Sequence, residues 1–119
     1  MKKLLFVFAV LFISVSNSFA YQQTIYAGPP IGSAGMTLNI NSNCSYISLN
    51  ASWYGLTNGV SNGGVVAYSD QLIGEYSFMA GTNPPSYSKG IYQTLYWGTV
   101  QVYLNAYSCN GQATLQWMP

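Results

Sequence analysis

Apart from hydroxyls and amides, residues 21–119 offer few groups to acid–base, nucleophilic or metal chemistry: Asp70, Glu75, Lys89, Cys44 and Cys109, with no histidine in the chain. A glycosidase needs two carboxylates facing each other across one cleft. Asp70 and Glu75 lie in "AYSDQLIGEYS", where they flank a turn between short strands, an ordinary solvated place for charge. Lys89 in "SYSKG" stands near Ser86 and Ser88, but serine–lysine catalysis requires a desolvated lysine. A loop bounded by Pro84-Pro85 and Gly90 does not provide one. Calcium on Asp70 with asparagine and backbone oxygens would lack carboxylates. A catalytic cysteine would lack a base, and a zinc site would lack ligands. The residues therefore predict no catalysis, no bound metal and no cofactor.

The first twenty residues, "MKKLLFVFAVLFISVSNSFA", place Lys2 and Lys3 before an apolar run from Leu4 to about Val15, with Ser18 and Ala20 at small-residue cleavage positions. This pattern predicts a secretory signal peptide over 1–20, cut after Ala20, because the apolar run is shorter than the ~18–20 residues of a spanning helix. A single domain is expected over 21–119, with no transmembrane segment after cleavage. The expected location is extracellular, or periplasmic in a Gram-negative host. Only Asp70, Glu75 and Lys89 carry charge in that part, so nucleic acid, which needs several basic contacts to phosphates, is excluded as a partner. With half of all residues apolar and eleven tyrosines, the chain has enough apolar surface for a core. Its surface must be held in water by uncharged polar groups.

No segment keeps a helical period, whereas several alternate every second residue between Gly-, Asn-, Ser- and Pro-rich breaks. The expected fold is all-β, a small antiparallel sandwich of six to eight strands, with a barrel as the architecture hardest to separate from it. A first strand is predicted near Gln22–Tyr26, and "MTLNINS" and "YISLNASWY" are clear strands. Surface loops are expected at 27–35, 55–64 and 80–90. The last element is predicted as a hairpin in which Asn110-Gly111 forms a two-residue turn, Leu104 faces Trp117 and Ala106 faces Leu115. Val100, Val102, Leu104, Ala106, Ala113, Leu115 and Trp117 would then share an inner face. Gln101, Tyr103, Asn105, Tyr107, Gln112, Thr114 and Gln116 would share an outer one.

Two cysteines in an exported protein predict one disulfide, Cys44–Cys109, tethering the hairpin tip to the turn before "YISLNASWY". On the chain-entropy model such a bond is worth ~4 kcal/mol. The outer hairpin face is the candidate ligand platform, because aromatic rings and uncharged amides suit the C–H faces and neutral hydroxyls of sugars. Asn43-Cys44-Ser45 and Asn50-Ala51-Ser52 are glycosylation sequons, which matter only in a host that uses them.

"SNGGVVAYSD" and "WGTVQVYLNAYSCNGQATLQW" resemble the turn region and closing hairpin of the bacterial pre-peptidase C-terminal domain, a small sandwich appended to secreted proteases and other exported enzymes. The resemblance spans about 36–117 and implies a noncatalytic module for secretion, solubility or surface binding. The chain departs from that pattern in lacking acidic residues in its middle strands, which argues against a calcium site. The functional expectation is a secreted noncatalytic module that binds a neutral extracellular surface, foremost a glycan. Two further readings stand beside it: a self-associating matrix or fibre protein, suggested by low charge and Tyr/Asn/Gln-rich strands, and a small secreted toxin or inhibitor.

Overall fold

The structure, a computed structural model, describes residues 20–79 and 85–119. Its eight strands are β1 (Tyr21–Ala27), β2 (Ser33–Cys44), β3 (Tyr46–Tyr54), β4 (Asn62–Tyr68), β5 (Leu72–Met79), β6 (Ser86–Ile91), β7 (Leu95–Tyr107) and β8 (Asn110–Met118). They form two four-stranded antiparallel sheets, sheet A in the order β1-β8-β3-β6 and sheet B in the order β2-β7-β4-β5. The all-β expectation holds, and the architecture is a sandwich. Among the described residues no helix is long and apolar enough to cross a membrane.

Alternation dictates the core. Ile47, Leu49, Ala51 and Trp53 of β3, with Ala113 and Leu115 of β8, point inward from sheet A. Val65 and Ala67 of β4, with Val100, Val102, Leu104 and Ala106 of β7, point inward from sheet B, and all of these are buried. Trp53 joins the layers. Its indole is 1% exposed, packs against Phe78 with ring centroids 5.0 Å apart, and donates from Nε1 to the Asn105 carbonyl across the interior at 2.9 Å. Two glycines make room for it. A Cβ at Gly111 would lie 2.7 Å from Trp53 Cδ1, and one at Gly63 would lie 2.7 Å from Trp53 Nε1.

The predicted closing hairpin does not form. β7 and β8 lie in different sheets, β7 between β2 and β4 and β8 between β1 and β3. Ser108 takes the left-handed conformation, φ 59°, while neither Asn110 nor Gly111 has positive φ. The chain therefore steps from one sheet to the other at Ser108-Cys109. Fully buried Ser61 holds this corner: its Oγ accepts from the Thr57 amide at 2.7 Å and donates to the Ser108 carbonyl at 2.6 Å. The physical reason lies in the two apolar rows. Paired side by side they would share one uncovered face, whereas stacked in opposite sheets they cover each other. Inward and outward parity along each strand is as expected, but Leu104 does not pair with Trp117, nor Ala106 with Leu115.

The predicted disulfide is absent. Cys44 and Cys109 are unbonded and buried. Asn110 pairs with Tyr54 and Met118 with Tyr46, and Ser45 N–H donates to the Met118 carbonyl at 2.6 Å. The cysteines thus sit at opposite ends of β8, which at a rise of ~3.3 Å per residue is ~26 Å, far beyond the ~7 Å Cα limit for a bridge. Burial also pushes the Cys109 thiol pKa up, against a smaller opposing hydrogen bond with the Tyr107 backbone, which makes the reactive thiolate scarcer. Reductant should accordingly leave the unfolding midpoint unchanged, and thiol labelling of the folded protein should be slow, rising only on unfolding. A midpoint lowered by reductant would contradict this placement.

All three expected loops contain strand: Asn62–Gly64, at the end of the 55–64 segment, open β4. Ser33–Gly35 already belong to β2, and Ser86–Gly90 are most of β6, an edge strand on which proline just before the first residue is tolerated. Residues 80–84 lie outside the described residues, as do 1–19 of the expected signal peptide.

Candidate functional site

Crossing to opposite sheets divides the predicted platform between two surfaces. Gln101, Tyr103, Asn105 and Tyr107 are on the outer face of sheet B, and Gln112, Thr114 and Gln116 on the outer face of sheet A. No single face carries all seven.

On sheet A the register aligns outward residues across the strands: Tyr26, Gln112, Ser52 and Ser86 in one row, Thr24, Thr114, Asn50 and Ser88 in the next, and Gln22, Gln116, Ser48 and Gly90 in a third. Over the first two rows the face is hollowed into a cleft of ≈ 310 Å³ lined by Asn50, Ser52, Ser86, Ser88, Gln112 and Thr114, with Ala51 and Tyr87. Short side chains make the hollow, because serine on β3 and β6 barely rises above the pleat. Its polar groups are held in place: Ser88 Oγ donates to Asn50 Oδ1 at 2.7 Å, and the Thr24 and Thr114 hydroxyls meet at 2.8 Å. Exposed tyrosines flank it, Tyr26 and Tyr54 toward one end and Tyr92 toward the other, where the Tyr92 ring covers Gly90 and lies 5.8 Å from Tyr46.

No charged residue lines this cleft. Asp70, in the turn between β4 and β5, and Glu75 on β5 belong to the other sheet, and Lys89 is an exposed residue of β6. Among the described residues no group of three or more His, Cys, Asp or Glu side chains is placed to hold a metal. The cleft offers donors and acceptors of neutral hydroxyls and amides beside aromatic rings. Such a set can exchange hydrogen bonds with a polyhydroxylated ligand without desolvating a charge.

The outer face of sheet B is differently built. Tyr103 lies over Gly35, where an added Cβ would approach its ring to 3.0 Å, and Tyr107 lies over Gly32. Tyr103 also stacks with Tyr68 at 6.3 Å and donates its hydroxyl to Gln101 Oε1 at 2.9 Å. Rings and polar groups here are engaged largely with each other, and both tyrosines are 45% exposed.

Asn50, Ser52, Ser86 and Ser88, which line the cleft beside the expected Gln112 and Thr114, are not in the platform the sequence predicts. The polar phase of "YISLNASWY" contains the first two, and the alternating serines of "SYS" the others. These strands are neighbours in sheet A, which side-chain alternation within each strand does not reveal.

No protein-family model matches the sequence, and no curated protein matches it. Among solved structures, the chain is similar to the pre-peptidase C-terminal domain of collagenase from Bacillus anthracis, with 14% identity over 82% of this chain and 86% of that one and a TM-score of 0.41. This agrees with the resemblance expected from the sequence. A family 35 carbohydrate binding module from Clostridium thermocellum matches at 11% identity over 84% of this chain and 92% of that one, TM-score 0.44. A protein of the disulfide-linked pili of Bacillus endospore appendages matches at 15% identity, over 85% and 89% of the two chains, TM-score 0.39. Likeness at this level is one of fold outline.

Proposed function

We propose that this protein is a secreted noncatalytic module whose sheet A cleft binds a neutral glycan. The observation that carries the reading is the uncharged cleft itself, with hydroxyls and amides from β3, β6 and β8 converging in one hollow and tyrosines at its ends. Sugars match it in chemistry: their hydroxyls pair with amides and serines, and their C–H faces stack on rings. Binding places are typically concave, with a few fixed polar groups, and the Ser88–Asn50 and Thr24–Thr114 contacts supply that fixity. Export through the leader at 1–20 would bring the cleft to such ligands. An attached glycan at the Asn50 sequon would occupy the same cleft, so the binding form is the one unmodified there.

A screen of the chain from Tyr21 onward against immobilised polysaccharides tests the reading. Neutral polysaccharides should be retained, with little change on raising salt, because no ion pair contributes. Binding restricted to charged polymers and lost in salt would contradict it.

A further inference from the structure

The two sheets have four edge strands, stacked so that β5 lies beside β6 and β1 beside β2. These two sides of the sandwich are built differently. On the first, β5 carries Glu75 and follows Asp70, and β6 carries Lys89. Tyr87 of β6 ties the side shut: its ring stacks on Tyr76 at 5.3 Å, and its hydroxyl accepts the Glu75 amide at 3.1 Å. Charge and an occupied backbone donor are both devices that keep an edge from pairing.

The β1–β2 side has neither device. No charged residue and no proline occurs in Tyr21–Ala27 or Ser33–Cys44. β2, at twelve residues, is the longest of the four edges. Its inward row, Ala34, Met36, Leu38 and Ile40, packs against the core yet stays half-buried, while Val100, Val102 and Leu104 beside it on β7 are fully buried. The strand pairs regularly with β7 from Ser33 to Asn39 before its register shifts, with Asn41 in the left-handed region at φ 49°. It therefore offers an uncharged edge in regular register over Ser33–Asn39, with outward backbone groups that no strand among the described residues pairs and with half-covered apolar side chains.

We propose that this edge pairs with the same edge of a second copy of the chain, antiparallel and about a two-fold axis, so that the two B sheets become one continuous sheet. The absence of charge argues for a second copy. At a two-fold axis each strand meets its own sequence, so any charge near the axis would face an identical one. Pairing would also complete the cover of Met36 and Leu38. Because the axis runs through the plane of the sheet at right angles, both sheet A clefts open on the same side of the dimer. The pairing stands independently of what the clefts bind.

Sedimentation velocity of the chain from Tyr21 onward tests this. The protein should shift from monomer to dimer with rising concentration. Thr37→Lys, at an exposed outer-face position of β2, should return it to monomer by setting like charges beside the axis. Ser77→Lys, exposed on β5, should leave the dimer intact. Backbone amides within Ser33–Asn39 should exchange more slowly as concentration rises, a readout that needs no variant. A monomer at every accessible concentration, or a dimer that survives Thr37→Lys in a folded protein, would overturn the proposal, as would exchange in Ser33–Asn39 that ignores concentration.

Discussion

Trp53→Ala should lower the free energy of unfolding by about 3–5 kcal/mol, the range for removing a buried tryptophan. That is a large share of the ~5–15 kcal/mol that holds a typical domain, so the variant should be unfolded or nearly so at room temperature. The indole fills the interior between the sheets, touches Phe78 and Tyr76, and donates to Asn105 of the opposite sheet. Its loss leaves a cavity and removes that hydrogen bond between the sheets. Trp117→Ala should cost clearly less, because Trp117 is half-buried near the end of β8 beside exposed Tyr21, 6.0 Å away. Urea unfolding of both variants checks the order, and a Trp117 variant as damaged as the Trp53 one would show the keystone to be misplaced.

Gly111→Ala should cost ~1–3 kcal/mol through overpacking, and most of that cost should vanish in a protein that already carries a smaller residue at 53. The added methyl would come within 2.7 Å of Trp53 Cδ1 and 2.8 Å of Nε1, with Ala106 Cβ next at 3.3 Å, so nearly all of its conflict is with one side chain. Contacting residues are expected to be non-additive, and a double-mutant cycle measures this directly. Because Trp53→Ala itself is near the limit of folding, Trp53→Phe is the better background. Gly63→Ala should behave otherwise. Its methyl would meet the Asn105 carbonyl at 2.6 Å as well as Trp53 Nε1 at 2.7 Å, so shrinking residue 53 relieves only part of the strain. Additive costs at Gly111 and Trp53 would mean that Gly111 is required for some other reason.

Particular residues show what the sequence could and could not say. Two-residue alternation correctly turned Val100, Val102, Leu104 and Ala106 inward along with Ala113 and Leu115, because side-chain parity is local to each strand. It said nothing of which strand neighbours which. The Asn110-Gly111 pair has hairpin chemistry, but the cover that two apolar rows give each other across a sandwich outweighed that local preference, and the positive φ fell on Ser108. The disulfide expectation depended on that misplaced turn and on counting cysteines. β8 runs between the two thiols and keeps them apart. β6 was hidden because Pro84-Pro85 and Gly90 look like loop residues, and with it went Ser86 and Ser88, one wall of the cleft. The tyrosines named from sequence are indeed outward-facing, yet they are on the sheet opposite Gln112 and Thr114. A constellation assembled across a sheet is legible only after strand order is known.

The cleft makes the most exposed claim about function, and one comparison of binding tests it. Titration calorimetry with a neutral oligosaccharide selected by the polysaccharide screen should be run on the wild type, on Asn50→Ala and Gln112→Ala in the sheet A cleft, and on Tyr103→Ala and Tyr107→Ala on sheet B, each first shown to keep its strand spectrum. Each cleft variant should weaken binding about tenfold or more, the effect of ~1.4 kcal/mol, while the sheet B variants should bind as the wild type does. Loss of binding in the tyrosine variants, with Asn50→Ala and Gln112→Ala unaffected, would contradict this and move the site to the opposite face.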